Sequence, residues 1–406
     1  HRDLHSFPTR RSSDLGREAL AAVGATGSLI NLIVTLFMGL SVGTSVIVAQ
    51  DYGANQPAAV SRAVHTSIVI SVIGGLFVMA AGLVFCRPLL DMMGTPEDII
   101  SLSALYLKIY FVGVPASMIY NFGAAILRAV GDSHHPMYYL IITGLVNVVL
   151  NLFFVIVLHM SVDGVAWATV ISQYLSLVLI MACLYRCDGA IRFIPSKLSI
   201  DLEKLKAIVK IGLPAGLQGL LFSVSNVLIQ SAVNSFGSVM VAASAAASNV
   251  EGLVGTSINA YYNAAITSVG QNMGAGKYDR IDLTARICTV LIFATWILLG
   301  SLTLLFGRPL LGLYTEDGEV IGIGMLRLKV MMAAYFTCGV MNVFPGLTRA
   351  MGSSMLPMLC TLLGACLMRI VWLATVFTWF PTVIVLFACY PVTWALTGIG
   401  QVAIFL

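Results

Sequence analysis

The sequence predicts an all-α polytopic membrane protein of two pseudo-symmetric six-helix lobes, and three observations carry that prediction. Of its 406 residues, 59% are hydrophobic and 10% are charged, and the mean hydropathy is +0.95, a balance suited to lipid rather than water as solvent. The apolar residues gather in runs of the length that a bilayer core of about 30 Å requires, roughly 20 residues each. The second half also repeats the first at a constant shift of 221 residues, VAQDYGAN at Val48–Asn55 falling on VGQNMGAG at Val269–Gly276.

Taken in order, the runs predict spans near Ser28–Gln50, His65–Phe85, Leu105–Leu127, Met137–Leu158 and Val165–Tyr185 in the first half. The second half adds Ile208–Asn234, Val239–Gly270, Ile287–Phe306, Met325–Leu347, Met358–Phe380 and Val383–Leu406, for 11 transmembrane helices in all. The repeat holds without a gap from Val48 to Met137: FCRPLL at Phe85–Leu90 falls on FGRPLL at Phe306–Leu311, and RAVGDSHHPM at Arg128–Met137 on RAMGSSMLPM at Arg349–Met358. Six helices per repeat return the chain to its starting side, so the lobes share one orientation about an axis along the membrane normal.

On this register the first helix of the first lobe is expected to be missing. Residues 1–15, HRDLHSFPTRRSSDL, stand where the second half has the apolar FSVSNVLIQSAVNSF of Phe222–Phe236. They read as a non-native or disordered head, similar to translated sequencing-adapter sequence. The N-terminal lobe is then 16–187, a cytoplasmic linker 188–206, and the C-terminal lobe 207–406.

Charges sort by loop. Arg62, Arg128, the linker cluster from Arg186 to Lys210, Lys277, Arg280, Arg286 and Arg349 fall in alternate loops, which the positive-inside rule places in the cytoplasm. The intervening loops carry Asp91, Glu97, Asp98, Asp163, Glu316, Asp317 and Glu319. The net charge of +4 therefore marks topology and a lipid partner, not nucleic acid. The eight scattered cysteines form no CxxC pair and read as apolar packing residues.

Short motifs exclude several chemistries. GLSVG at Gly39–Gly43 fits a nucleophile pattern, but His65, His134, His135 and His159 all lie at helix ends or in loops, leaving Ser41 no base. GQNMGAGKY lacks Walker spacing. Gly53, Gly131, Gly274 and Gly352 each follow a long helix and are expected to end it at positive φ. Pro115 and Pro345 are expected to break their helices.

Polar residues inside the spans are the candidate sites, since a charge at the bilayer centre costs about 2.5–3.5 kcal/mol on insertion scales. Glu251 and Arg369 lie deep in their helices. Glu251 either takes a proton or a cation, or forms a buried Glu251–Arg369 pair that holds the C-terminal lobe. Asn147 and Asn151 share a helix face, with Thr169 on the next helix; these oxygens suit Na⁺ or amide bonding between helices. Tyr120, Asn121, Tyr261, Tyr262 and Asn263 either line a substrate cavity or pack.

The two lobes, the Gln50 and Gln271 turns with their GA pairs, and the RAxGxS segments together resemble the multidrug and toxic compound extrusion (MATE) transporters, in the prokaryotic branch that includes the DinF type. The resemblance covers nearly all of Gly16–Leu406. It implies a monomeric exporter in the bacterial cytoplasmic membrane, not an enzyme, that antiports small organic, often cationic, drug-like compounds against Na⁺ or H⁺ by alternating access, with no other cofactor. The family cation site uses an Asp on the first helix, then Asn, Asp and Thr; Asn147 and Thr169 match, while Asn151 stands where Asp is usual. Alternatives are a flippase for lipid-linked sugars, which would call for a strongly cationic cleft, a passive channel, or an intramembrane hydrolase.

Overall fold

The computed structural model describes residues 34–92 and 97–406 together with 26 and 30. The head at 1–15 and the start of the first expected span lie outside the described residues. The described chain is helical: α1 (Val34–Gly53), α2 (Pro57–Met92), α3 (Glu97–Ala129), α4 (His134–Leu152), α5 (Val162–Arg186), α6 (Leu202–Asn234) and α7 (Ser238–Gly274). Then come α8 (Asp279–Leu305), α9 (Gly318–Ala333), α10 (Tyr335–Ala350), α11 (Met355–Trp379) and α12 (Val383–Phe405). Nine of these are each long and apolar enough to cross a bilayer, and α9 with α10 make a further span bent by 54°. Helix α7, 37 residues long, spans by length although its many Ala, Ser and Asn residues and Glu251 lower its hydropathy. The structure therefore supplies a helix for every span read from the sequence.

Large apolar side chains on the outside say what surrounds these helices. On α4, Leu140, Ile141, Leu145, Val148, Val149 and Leu152 are all exposed, which in water would be an aggregating surface and in lipid is the expected one.

The described residues divide into two compact units, those up to Thr44 with 57–206, and 45–56 with 207–406. The division falls inside α1, whose C-terminal half is grouped with the second unit. Residues 188–206 are grouped with the first unit.

In the first unit α3 packs between α2 and α5. Glycines set its approach to α2: a Cβ on Gly75 would lie 2.6 Å from the Pro115 Cα, and one on Gly82 would lie 2.3 Å from the Phe111 ring. Helix α3 runs unbroken through Pro115, because the carbonyl a proline frees is tolerated in a packed membrane helix. Residues 188–206 are fastened to the end of α2. Ile194 N–H donates to His65 Nε2 at 3.1 Å, Asp201 N–H to Thr66 Oγ1 at 3.0 Å, and Arg62 pairs with Asp201 at 3.0 Å.

In the second unit α7 packs against α8, α9 and α10, and α12 covers α10. The bend between α9 and α10 falls at Ala334, not at Pro345, which sits inside the continuous α10. Short π-helical stretches interrupt α8 at Trp296–Gly300 and α11 at Leu362–Leu367, and another, Phe153–Val157, follows α4 at its C-terminal end.

The expected glycine caps divide into two kinds. Gly131 and Gly352 have φ of +97° and +100°, as a left-handed helix terminus requires. Gly53 and Gly274 do not. There the positive φ passes two residues on, to Asn55 and Gly276 at +54° and +68°, another pair matched by the repeat. Gly53 and Gly274 instead permit contact: a Cβ on Gly53 would sit 1.9 Å from the Gln271 carbonyl oxygen, and a Cβ on Gly274 1.9 Å from that of Gln50. The two helix ends thus cross reciprocally, main chain on main chain, within the second unit.

Candidate functional site

The deepest charges lie in the second unit. Glu251 on α7 is gripped by Arg327 on α9, whose Nε donates to Oε1 at 2.9 Å and Nη2 to Oε2 at 3.1 Å. The Tyr335 hydroxyl donates to the Glu251 carbonyl at 3.2 Å. The expected Glu251–Arg369 pair is therefore corrected. Helix α9 begins at Gly318, and its packing on α7 brings Arg327 to the carboxylate. Arg369 is fully buried and has other partners. Its Nη1 donates to Asn226 Oδ1 at 2.8 Å, and its guanidinium lies 4.8 Å from the ring centres of both Phe222 and Tyr390. Both Glu251 oxygens are engaged by the Arg327 fork, an arrangement that already supplies the carboxylate with its cation.

In the first unit Asn151 Nδ2 donates to Asn147 Oδ1 at 3.0 Å, while Thr169 Oγ1 donates to the Val165 carbonyl of its own helix at 3.0 Å. Asn151 Oδ1 is buried with no donor. Immediately after Asn151 and Leu152 the helix passes into its π-helical stretch, a local irregularity often found at functional sites. Gln173, one helical turn from Thr169, likewise has a buried Oε1 without a donor.

The aromatic and amide candidates separate once their partners are seen. Tyr120 is buried and donates to the Pro136 carbonyl at 2.8 Å, and Tyr261 is bonded to Thr295, so both hydroxyls serve packing. Asn263 is exposed and donates to the Asn259 carbonyl one turn back. Asn121, which donates to the Ser117 carbonyl at 2.8 Å, lines a small first-unit pocket of about 20 Å³ with Tyr110, Ser117, Phe37 and Met38, room for about one water. Tyr262 accepts from Arg349 Nη1 at 2.8 Å and lines a second-unit pocket of about 180 Å³ with Gln218, Phe222, Asn259, Asn342 and Arg349.

Gln218, Asn342 and Arg349 were not expected at a site. The repeat could have found Asn342, which falls on Asn121 just as Asn259 falls on Met38. Arg349, assigned by charge to a cytoplasmic loop, instead ends α10 as a buried residue.

A family model described as MatE matches residues 11–153 and again 214–392, one match to each half of the repeat. Among curated proteins, the chain is 28% identical over 353 residues to the probable multidrug resistance protein YoeA of Bacillus subtilis, covering 84% of this chain and 76% of that protein. It is 24% identical over 363 residues to the probable multidrug resistance protein NorM of Thermotoga maritima, covering 86% and 75%. Among solved structures, the MATE transporter VcmN of Vibrio cholerae in its bent form superposes with a TM-score of 0.86 at 22% identity, over 95% of this chain and 87% of that one. This last likeness is one of fold.

Proposed function

The chain belongs to the MATE family, and from that premise we propose that it is a secondary multidrug exporter of the bacterial cytoplasmic membrane that moves small organic compounds outward in exchange for Na⁺ or H⁺. The observation that carries this reading is the double match of one family model to the two halves of a repeat, the architecture in which alternating access is built from paired lobes. Relatives described as multidrug resistance proteins over most of their length support the substrate class.

For the coupling ion we assign Asn147, Asn151 and Thr169 as oxygen ligands. The support is the unpartnered, buried Asn151 Oδ1: a buried acceptor without a donor costs about 1–3 kcal/mol, and a cation drawn against it removes that cost. Neither amide can carry a proton, so these residues favour Na⁺. Glu251, held by Arg327, is not assigned to the ion.

The reading is tested by ethidium and norfloxacin efflux from cells expressing the chain, with Na⁺ and H⁺ gradients imposed separately. Export under a Na⁺ gradient is expected; absence of export under both gradients, with the protein present in the membrane, refutes the exporter.

A further inference from the structure

Among the described residues, Arg349 is a buried positive charge without a negative partner. Only 4% of it is exposed. One terminal nitrogen donates to the Tyr262 hydroxyl and the other to Gln218 Oε1, both neutral, and its Nε is buried with no acceptor. No carboxylate among the described residues pairs with Arg349; Glu251, the buried acid, is taken by Arg327. A guanidinium cannot shed its charge by deprotonation, so an anion reaching this site would find a desolvated charge and an open Nε donor.

The surroundings are built to receive one. Arg349 borders the second-unit pocket of about 180 Å³, where the amides of Gln218, Asn259 and Asn342 also line the wall. Phe222 lines the same pocket and has the Arg369 guanidinium stacked on its ring, which places a second positive charge behind that wall. Gly346, one turn before Arg349, makes the arrangement possible, since a Cβ there would lie 2.8 Å from the Tyr262 ring. Of the other buried arginines, Arg327 is paired with Glu251, whereas Arg369, which also lacks an acid among the described residues and keeps a buried Nη2 without an acceptor, donates to Asn226 and lies against two rings; only Arg349 itself borders the pocket.

We propose that this pocket binds the oxyanion group, carboxylate or phosphate, of an organic anion, with Arg349 as the charge partner and the amides as neutral donors. Binding stands independently of the exporter reading, and only the export of the bound anion rests on it. The site adds anionic and zwitterionic compounds to the cationic ones implied by the family resemblance.

The test uses the full chain purified in dodecyl maltoside, with carboxyfluorescein as probe and fluorescence polarisation as readout. Binding is expected, weakened at least about tenfold by Arg349→Gln and only partly by Arg349→Lys. Asn342→Leu, which leaves the arginine network intact but replaces a lining amide by an apolar side chain, is expected to weaken binding as well; size-exclusion profiles verify folding of each variant. Displacement by benzoate or inorganic phosphate identifies a free solute as the ligand, and displacement by phosphatidylglycerol alone identifies a lipid headgroup; either result sustains the site. No binding by the unmodified chain, equal binding by Arg349→Gln and Asn342→Leu, or a dye that none of these anions displaces overturns it. Binding is read without any gradient, so its outcome is separate from that of the efflux assay.

Discussion

Glu251 and Arg327 meet in a two-pronged ion pair between α7 and α9, at 2.9 and 3.1 Å. The repeat places Ile30 and Tyr106 at the corresponding positions of the first half, and there the two belong to one apolar cluster. The same helix contact is thus made by apolar packing in one unit and by opposite charges in the other.

Breaking the pair from one side leaves a buried charge. Arg327→Met is expected to destabilise the protein by about 3–5 kcal/mol, read as a lowered melting temperature in detergent. The double change Glu251→Ile with Arg327→Tyr, which copies the first unit, should recover most of that loss. A double variant no more stable than the single one would show that the packing around the pair cannot accept the apolar solution.

At the reciprocal crossing, Gly53→Ala and Gly274→Ala each drive a methyl into a main-chain carbonyl and should abolish most folded protein, since the backbone cannot move aside as a side chain can. Gly276→Ala is milder, with only the left-handed conformation to strain, about 1–2 kcal/mol. The yield of monodisperse protein for the three variants checks this order.

Replacing Asn151 by Ala removes the orphaned oxygen and should abolish Na⁺-driven efflux with little change in stability. Asn151→Asp introduces a group able to carry a proton, and its efflux should acquire a dependence on the H⁺ gradient. Dye efflux under each gradient distinguishes these outcomes from an Asn151 that only packs.

Asp132 lies in the turn between α3 and α4. Burial pushes its carboxyl up, but hydrogen bonds from the His135 ring and from the His135 and His134 backbone outweigh this and hold it below the ordinary carboxylate range. Because the folded value is depressed, the stabilisation is present above the unfolded value of about 3.9 and fades as pH falls through the folded one. Asp132→Asn should therefore melt below the unmodified protein at neutral pH, by an amount within the ~0–1 kcal/mol typical of exposed pairs. The two melting curves should converge in acid.

His65 clasps residues 188–206 to α2, with Ser61 and Ile194 bonded to its two ring nitrogens at 2.7 and 3.1 Å and Phe193 stacked on the ring. His65→Ala should free this segment. Faster trypsin cleavage at Arg192 or Lys197 is the expected readout, and an unchanged rate would mean that Arg62 and Thr66 suffice.

Much of the fold was legible because lipid imposes a length and a polarity that hydropathy reads directly, and because the repeat carried each helix of one half onto the other. Side-chain partners were less so. Arg369 seemed the natural mate for Glu251 because both lie deep in their spans, whereas Arg327 stood near the edge of a run counted from Met325. The helix begins earlier, at Gly318, which draws Arg327 inward. The hydroxyls of Tyr120 and Tyr261 are taken by Pro136 and Thr295, a matter of rotamer and neighbouring helix that spacing along the chain does not encode.

The meeting of Gly53 with Gln271 and of Gly274 with Gln50 has a mechanical consequence. No side chain lies at the points of contact, so nothing there can change rotamer or yield volume to absorb a displacement. The joint behaves as a rigid coupling, and a shift of the turn after α1 must carry the end of α7 with it. The same turn holds α10, since Gln50 Nε2 donates to the Ala350 carbonyl at 2.7 Å, next to Arg349. Motion at the end of the first described helix is thereby geared to the rim of the arginine pocket.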